Sequence, residues 1–541
     1  MFAYLSGRGG YPRIINVFAW AILSVLAILA VATFRDYGMG WDDYTHAEYG
    51  NLLFSLYTSG FHDTRALSFV NLYMYGSGFD LLAAILAKIL PFDLFDTRRL
   101  LGAAIGIIGI FVTWRLAERL GGKLAGLMAL ILLATCPLFY GHMYINPKDA
   151  PFAVAMVVLL LGIVRVFQGY PRPRVGSIAV LGVGMGLAVG ARVIGVIGGL
   201  YALAGLVLIV VAEWRQSGRH HAMSRLGAFL VRMLPAFALG YLVMGLVWPW
   251  GVIAPLNPIR AIEYFSHFFE KPWKEMFDGT LVPVPEMPRH YVPWLFALEM
   301  PELLLVLSLV GIAGAFFKST RRDVNVRDRA ALLVVAVAAT LPIAITVVTR
   351  PAMYNGIRHF VFVTPPLAVL GGLAGSWAIE RARQWGRPVL GTAVAAMLAA
   401  AALPVVEMIR LHPYQYTHFN VLAGGIQAAD ERYMLDYWGL AFKQAAQELR
   451  HRLANEKPPA NRPWRVAVCG PQWSATVELG PNFVTSWDSK GADFALMLGE
   501  FYCADLNAPV VVEIEREDVV YARVYDIRGQ SVTSLLTIPP P

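Results

Sequence analysis

Charged residues are scarce in this chain of 541 residues: they make up 15% of it, whereas hydrophobic residues make up 57%. A soluble globular domain carries roughly 25% charged residues, so the composition excludes an ordinary soluble protein. The hydrophobic residues are grouped in blocks of about 20, the length that a helix needs to cross the hydrocarbon core of a bilayer. We therefore predict an α-helical polytopic membrane protein.

Signatures of a nucleotide site are also missing, since the chain has neither a Walker A motif nor a glycine-rich loop in a soluble β-α unit. No internal repeat is evident. The net charge of +8 does not indicate a nucleic-acid partner, because most lysines and arginines lie in short loops between the hydrophobic blocks, where they set the orientation in the membrane.

Cysteine is rare, with three in the chain. Cys136 lies in a hydrophobic block, whereas Cys469 and Cys503 lie in the polar C-terminal tail. In an oxidising compartment, which the periplasm provides, Cys469 and Cys503 are expected to form a disulfide. Two free thiols are the alternative.

Hydropathy and block length predict about eleven spans. The first is read as a retained helix, because it is long and lacks a cleavage site. The half-apolar stretch 70–90 contains charged residues, and we predict that it lies in the interface without crossing. The predicted spans are 14–33, 100–114, 125–140, 153–167, 178–190, 194–212, 233–248, 294–317, 330–349, 360–379 and 389–406.

Every second loop between these spans is basic, and the positive-inside rule assigns such loops to the cytoplasm. The N-terminus is then inside and the tail outside, in a bacterial inner membrane with its outer loops in the periplasm. The basic loops hold Arg8 and Arg13; Arg115, Arg119 and Lys123; Arg165, Arg172 and Arg174; Arg215, Arg219 and Arg225; Lys318, Arg321, Arg322, Arg327 and Arg329; and Arg381, Arg383 and Arg387.

The other loops are longer and aromatic, above all 34–99, 249–293 and the tail from 407. In the tail, apolar and polar residues alternate over 465–469, 510–515 and 519–525, a pattern typical of strands. We predict two domains: a transmembrane domain over 1–406 and a small periplasmic α/β domain over 407–541.

An acidic cluster follows the first predicted span and contains Asp42, Asp43, His46 and Glu48. Charges near the bilayer are costly, and adjacent carboxylates raise each other's pKa and can hold a proton or a metal ion. Such a carboxylate can serve as a general base. The alternative is that Asp43 caps an interface helix over 45–57, which explains one aspartate but not the cluster.

Three further clusters lie on the same predicted outer side: Lys148 with Asp149, Arg192 alone, and Tyr354 with Arg358 and His359. Their alternatives are helix caps for the first and third and a snorkelling arginine for Arg192. Together the four clusters bring acids and cations to one membrane face. Cations there would hold a leaving phosphate, and a carboxylate would deprotonate an attacking hydroxyl.

The order of these motifs resembles the GT-C superfamily of membrane glycosyltransferases, in particular the dolichyl-phosphate-mannose protein mannosyltransferases and the lipid A aminoarabinose transferases. Their outer-loop motif is Asp-Glu followed by Tyr-Ala-Glu. Here Asp42-Asp43 and His46-Ala47-Glu48 stand in those places, with Asp for Glu and His for Tyr.

Later motifs extend the resemblance. Asp149 stands where the family has an aspartate in its second outer loop, and Arg192 where the family commonly has a lysine before a glycine. Arg358-His359, ahead of Pro365-Pro366, is similar to the family's Arg-Tyr before a late proline-containing span. The family's lysine in the interface helix has no clear counterpart here.

The resemblance implies a GT-C fold and an inverting transfer of a hexose or pentose from a polyprenyl-phosphate donor. Asp42 would be the general base, supported by Asp43. The loop 249–293 would cover the site or shape the acceptor pocket. The acceptor would be a protein, a lipid or a polysaccharide at the membrane, and a divalent cation at Asp42 and Asp43 is an option. The implied substrate-binding residues are His46, Glu48, Lys148, Asp149, Arg192, Tyr354, Arg358 and His359.

Two other classes of function compete. A secondary transporter predicts ionisable groups near the middle of the membrane and a repeat in the sequence, whereas the charges here lie mainly at the outer ends of the predicted spans. A non-catalytic scaffold with a partner-binding tail leaves the acidic cluster without a role.

The topology can be tested with reporters fused after Pro541. Because an odd number of spans follows an inside N-terminus, we expect a reporter that works only in the periplasm to be active and one that works only in the cytoplasm to be inactive. The opposite pair of results would reverse the orientation.

Overall fold

The computed structural model describes residues 11–267, 273–459 and 462–538. Nine of the described helices are long and apolar enough to cross a membrane, and the helix Val175–Ala191 is apolar but shorter. The chain is thus a multi-pass membrane protein. In chain order the helices are α1 (Tyr11–Thr33), α2 (Asp43–Thr58), α3 (Gly78–Leu86), α4 (Leu94–Ala134), α5 (Pro137–Ile145), α6 (Asp149–Gln168), α7 (Val175–Ala191), α8 (Gly198–Ser217), α9 (Arg219–Val247), α10 (Pro249–Ile253), α11 (Asn257–Ser266), α12 (Tyr291–Glu299), α13 (Glu302–Thr320), α14 (Val326–Thr349), α15 (Thr364–Gln384), α16 (Arg387–Arg410), α17 (Gly425–Asp430), α18 (Phe442–Arg452) and α19 (Gln472–Leu479).

Helix α4 contains the predicted span 100–114 and the first part of the predicted span 125–140, which continues into α5. A straight helix of 41 residues would be about 60 Å long, twice the thickness of the hydrocarbon core. Gly122 interrupts it with φ 83° and ψ −178°, a left-handed backbone conformation that glycine adopts without steric cost. The chain can therefore change direction between the two apolar halves.

A second predicted span is also divided in the structure. The block 294–317 is split between α12 and α13, which are separated at Met300 and Pro301. Proline has no backbone N–H and disfavours the helical conformation of the residue before it. Hydropathy alone does not register this break, because the residues on both sides of it are apolar.

The segment 34–99 contains short helices and the first residues of α4. Helix α2 has 16 residues and includes the helix 45–57 of the capping alternative, and α3 has nine. Nine helical residues extend about 13 Å, too little to cross the hydrocarbon core. The absence of a span from 70–90 was therefore predicted from the sequence, although its helix is shorter than the predicted stretch.

Close helix packing depends on small residues, as is usual in membrane proteins. A Cβ atom at Gly311 of α13 would lie 2.1 Å from the carbonyl oxygen of Leu370 in α15. One at Gly372 would lie 2.5 Å from the carbonyl oxygen of Ala125 in α4. These glycines bring α15 into direct backbone contact with α13 and α4, and so place the start of α15 in the bundle.

The C-terminal region forms the mixed sheet of the predicted α/β domain. Its order is β4-β3-β5-β7-β6, with β3 parallel to β4 and β5, and β7 antiparallel to β5 and β6. Helix α16 runs four residues past the predicted boundary at 406, to Arg410. The strands are β1 (Lys274–Phe277), β2 (Thr280–Pro283), β3 (Trp464–Cys469), β4 (Phe483–Ser486), β5 (Phe494–Leu498), β6 (Val510–Arg516) and β7 (Val519–Asp526).

This region packs directly onto the segment that joins α1 to α2. The N–H of Trp41 donates a hydrogen bond to the carbonyl oxygen of Trp438 at 3.2 Å. Lys443 Nζ donates to the carbonyl oxygen of Tyr37 at 3.3 Å. A Cβ atom at Gly40 would lie 2.7 Å from Trp438 Cε3. The position of residues 37–43 is therefore fixed from the C-terminal side.

Cys469 and Cys503 are joined by a disulfide in the structure, 34 residues apart. Closing a loop of this length restricts the unfolded chain and stabilises the fold by about 3–4 kcal/mol in the chain-entropy model. We expect the variant Cys469→Ala/Cys503→Ala to unfold at a lower temperature than the wild type in detergent and to be insensitive to a reductant, whereas Cys136→Ala should keep the response of the wild type to the reductant. Equal melting temperatures with and without reductant for the wild type would contradict a bridge.

Candidate active site

Asp42 lies at the N-terminal end of α2 with its side chain about one-third exposed, and its Oδ2 atom is 2.8 Å from Lys148 Nζ. Burial alone would raise the pKa of Asp42, but the positive charges of Lys148 and Arg358 outweigh it and hold that pKa below the usual value. The same pairing, against the cost of burial, raises the pKa of Lys148. Both groups are therefore charged at neutral pH.

A side-chain turn at Asn146 positions Lys148 and Asp149. Asn146 Oδ1 accepts hydrogen bonds from the backbone N–H groups of both residues, at 3.0 and 2.7 Å. Asp149, the first residue of α6, is buried and pairs with Arg192 Nη2 at 2.5 Å. Its second oxygen accepts from Asn146 Nδ2 at 2.8 Å. The side chain of Asn146 thus binds the first backbone amides at the start of α6, while the carboxylate of Asp149 forms the ion pair with Arg192.

Arg358 is buried between two aromatic rings. Its guanidinium carbon lies 4.9 Å from the ring centroid of Tyr354 and 4.9 Å from that of Trp438, a cation–π arrangement. It forms no ion pair with a carboxylate of the described residues. The ring of His359 is 4.9 Å from that of Tyr354, and its Nδ1 atom is buried without a hydrogen-bond partner in the described chain.

Tyr75 connects two of the cations and was not identified as a site residue from the sequence. Lys148 Nζ lies 5.4 Å and Arg192 Cζ lies 5.9 Å from its ring centroid. The neighbouring Gly76 leaves no room for a side chain, since a Cβ atom there would be 1.1 Å from the carbonyl oxygen of Gly190. The loop before α3 thus packs against the end of α7, where Arg192 begins the next turn.

The cluster contains three cations, Lys148, Arg192 and Arg358, and the first two form ion pairs with Asp42 and Asp149. The guanidinium of Arg358 forms no ion pair with a carboxylate of the described residues. A cation without an ion pair in a low-dielectric site favours an anionic ligand. Phosphate and carboxylate groups are the biological anions that arginine and lysine bind most readily.

Asp43 lies beside this cluster but faces a different set of cations. Its Oδ2 atom accepts hydrogen bonds from Arg99 Nη2 at 2.6 Å and from the N–H of Gly40 at 3.0 Å. Arg98 Nε lies 3.5 Å from its other oxygen. The side chains of Asp43, Arg98 and Arg99 are at most 3% exposed. Asp43 therefore sits in a buried ionic network, and it is the first residue of α2 rather than its N-cap.

His46 belongs to the same buried network. Its Nδ1 atom is 2.6 Å from Asp80 Oδ2, and Asp80 Oδ1 is 2.8 Å from Arg98 Nη1. The network joins α2, α3 and α4. Sequence reasoning did not find Asp80, Arg98 and Arg99 as its members, because their pairing partners are distant along the chain.

Glu48 is exposed and lies about 120° around α2 from Asp42, so the structure does not bring it to the cluster. No group of three or more metal-ligating side chains occurs among the described residues. Asp42 and Asp43 each face a cation of the protein. Of the predicted cover at 249–293, residues 249–267 and 273–293 are described, and the ring of Trp273 is 5.2 Å from that of Tyr354.

Three kinds of comparison relate this chain to known proteins, and two of them find matches. Residues 78–241 match the family model "dolichyl-phosphate-mannose-protein mannosyltransferase", a range that includes Lys148, Asp149 and Arg192 but neither Asp42 nor Arg358. The comparison with curated protein sequences finds no match.

Solved structures with similar folds include the apo form of the oligosaccharyltransferase of Archaeoglobus fulgidus, with a TM-score of 0.51, 15% identity, and coverage of 88% of this chain and 65% of that one. ArnT from Cupriavidus metallidurans in the apo state is similar over 94% of this chain and 97% of its own, with 18% identity and a TM-score of 0.46. The resemblance to the GT-C superfamily predicted from the motifs is confirmed, and the chain has the GT-C fold.

The two neighbouring aspartates are expected to respond differently to the same change. Asp43→Asn removes the carboxylate that pairs with the buried Arg98 and Arg99. The loss of one partner of a buried ion pair typically lowers the free energy of unfolding by about 3–5 kcal/mol. Asp42→Asn changes a partly exposed carboxylate and should leave the melting temperature in detergent near that of the wild type. Equal destabilisation by both substitutions would contradict the distinction.

Proposed function

We propose that this protein transfers a sugar from a polyprenyl-phosphate donor to an acceptor hydroxyl at the periplasmic face of a bacterial inner membrane, with inversion at the anomeric carbon. The transferred sugar is a hexose or pentose, and the acceptor is a protein, a lipid or a polysaccharide. The observation that carries the proposal is the contact of the Asp42 carboxylate with a cluster of three cations, of which Arg358 forms no ion pair among the described residues.

The cations suit the leaving group. When the bond between the anomeric carbon and the phosphate oxygen breaks, negative charge accumulates on the phosphate. Lys148, Arg192 and Arg358 would therefore stabilise the transition state more than the bound donor, which is the requirement for catalysis. The family model that matches 78–241 is described as a dolichyl-phosphate-mannose-protein mannosyltransferase, and this description supports a lipid-phosphate donor. The matched range includes Lys148 and Arg192.

Asp42 suits the role of base. The acceptor oxygen would form a bond to the anomeric carbon from the face opposite the phosphate, its proton would pass to Asp42, and polyprenyl phosphate would leave. In the absence of donor, Lys148 holds the pKa of Asp42 low, which makes the carboxylate a weak base. A phosphate that shares Lys148 would loosen this pairing, raise the pKa of Asp42 and so link base strength to donor binding.

Asp43, His46 and Asp80 would then hold α2 and α3 in place without touching substrate. Asp149 would orient Arg192, and Tyr75, Tyr354 and His359 would line the phosphate site. The divalent cation that the acidic pair suggested stays a prediction, and a chelator titration of the purified enzyme tests it.

The proposal is tested by incubating purified protein with a panel of polyprenyl-phosphate sugars and membrane extract, and measuring released polyprenyl phosphate. We expect release by the wild type with one donor and a loss of about 10²–10⁴-fold with Asp42→Asn. Exposed Glu48→Gln serves as the matched control and should retain activity. Equal release by the wild type and Asp42→Asn would contradict the role of Asp42.

A second prediction concerns the pH dependence of kcat at saturating donor, which reports the ionisation of groups in the enzyme–donor complex and not the affinity for the donor. Because Lys148 lowers the pKa of Asp42, Lys148→Met should raise that pKa, so that activity is lost at a higher pH on the acidic side than in the wild type. The exposed Lys490→Met is the control. An acidic limb that stays in place in Lys148→Met would show that another group is the base.

A further inference from the structure

The turn that precedes Arg358 has an uncommon backbone conformation. Asn355 and Gly356 have φ angles of 55° and 63°, in the left-handed region, which persists in a non-glycine residue mainly where the surroundings fix it. Arg358 follows at the start of a 3₁₀ helix, Arg358–Val363. The conformation of this turn therefore decides where the guanidinium lies.

Side chains from a different part of the chain bind the two N–H groups of the turn. The N–H of Asn355 donates to Glu275 Oε2 at 2.7 Å. The N–H of Gly356 donates to the hydroxyl oxygen of Tyr291 at 3.0 Å, and that hydroxyl donates to Glu275 Oε1 at 2.8 Å. One carboxylate thus holds both amides, the first directly and the second through the tyrosine.

Glu275 belongs to the β1–β2 hairpin, which holds it in place. Phe277 forms a β-bridge with Tyr433, and the N–H of Gly279 donates to the carbonyl oxygen of Arg432 at 3.1 Å. Trp438, which follows Tyr433 closely in the chain, packs its ring against the guanidinium of Arg358. The C-terminal region therefore anchors the hairpin that holds the turn and also contacts the arginine that the turn presents.

The surroundings of Glu275 make its charge sensitive to pH. It is 3% exposed, and burial raises its pKa to about 7, although the hydrogen bonds from Tyr291 and Asn355 and the charge of Arg358 act in the opposite direction. The buried Glu299 also faces the turn, with Oε1 3.2 Å from the position of a Cβ atom on Gly356. Tyr437 is the remaining titratable group that interacts with Glu275.

We propose that Glu275 is a positioning residue: its carboxylate, through the N–H groups of Asn355 and Gly356, holds the turn that places Arg358 in the phosphate site. The inference rests on the proposed function in one respect, namely that Arg358 binds the phosphate of the lipid. Glu275 itself does not touch the donor. The ionised form accepts hydrogen bonds on both oxygens, whereas the protonated form converts one oxygen into a donor and disturbs the bond from Tyr291.

Two measurements on the full-length protein test this inference. Hydrogen exchange of the peptide that spans 354–358 reports on the turn, and equilibrium binding of undecaprenyl phosphate between pH 5.5 and 8.5 reports on Arg358. The variants are Glu275→Ala, Glu275→Gln, Tyr291→Phe, Arg358→Ala and the double variant Glu275→Ala/Arg358→Ala. Glu286→Ala, an exposed glutamate of the same loop, is the matched control.

We expect exchange in Glu275→Ala to be about tenfold faster and binding at pH 8 about tenfold weaker, the effect of losing a hydrogen bond to a charged acceptor. Glu275→Gln should behave like the protonated carboxyl: its amide oxygen still accepts from Asn355, but its amide nitrogen cannot accept from Tyr291, so that part of the protection is lost. Binding by the wild type should weaken as the pH falls through about 7, where the carboxylate is protonated, and more steeply than binding by Glu275→Gln, in which the second ionisation of the lipid phosphate contributes alone. The double variant should bind no more weakly than Arg358→Ala, since both changes act on one interaction.

Unchanged exchange in Glu275→Ala, with Tyr291→Phe also unchanged, would overturn the inference, as would additive losses of binding in the double variant. Faster exchange in Glu275→Ala together with wild-type binding by Arg358→Ala would show that Glu275 stabilises the turn. It would also show that Arg358 does not bind the phosphate. The two failures are therefore distinguishable.

Discussion

The ion pair between Asp42 and Lys148 is the contact on which the site depends. It joins the start of α2 to the loop before α6, and it keeps a carboxylate charged at the end of an apolar helix bundle. Charges in such places persist only when they are paired. Under the proposed function the pair would also set the chemistry, because the lysine that keeps Asp42 ionised makes it a weak base until the phosphate of the donor competes for the ammonium group.

The C-terminal region takes part in the site as well as covering it. Trp438 lies against Arg358 on one side and against Gly40 on the other, two residues before Asp42. The hairpin that binds the Arg358 turn is anchored to Tyr433 of the same region. The separation into domains at 406 and 407 describes the order of elements along the chain, but the groups around Asp42 and Arg358 come from both sides of that boundary.

The sequence predicted the features that depend on local patterns. Block length and hydropathy located the membrane helices. Charge near the ends of the predicted spans indicated Asp42, Lys148, Asp149, Arg192 and Arg358, which the structure brings together. What depends on distant contacts was not accessible: Asp43 and His46 pair with Arg99 and Asp80, partners that no spacing rule indicates. Tyr75, Trp438 and Glu275 carry no local signal either, because their roles arise from where other elements place them.

The central claim is that Asp42 takes a proton from the acceptor in a single displacement and forms no bond to the sugar. The most direct test is the anomeric configuration of the product, measured by NMR with a donor of defined configuration at the anomeric carbon. A single displacement predicts a product of the opposite configuration. A product that retains the configuration of the donor would require a glycosyl-enzyme intermediate and would contradict the single displacement.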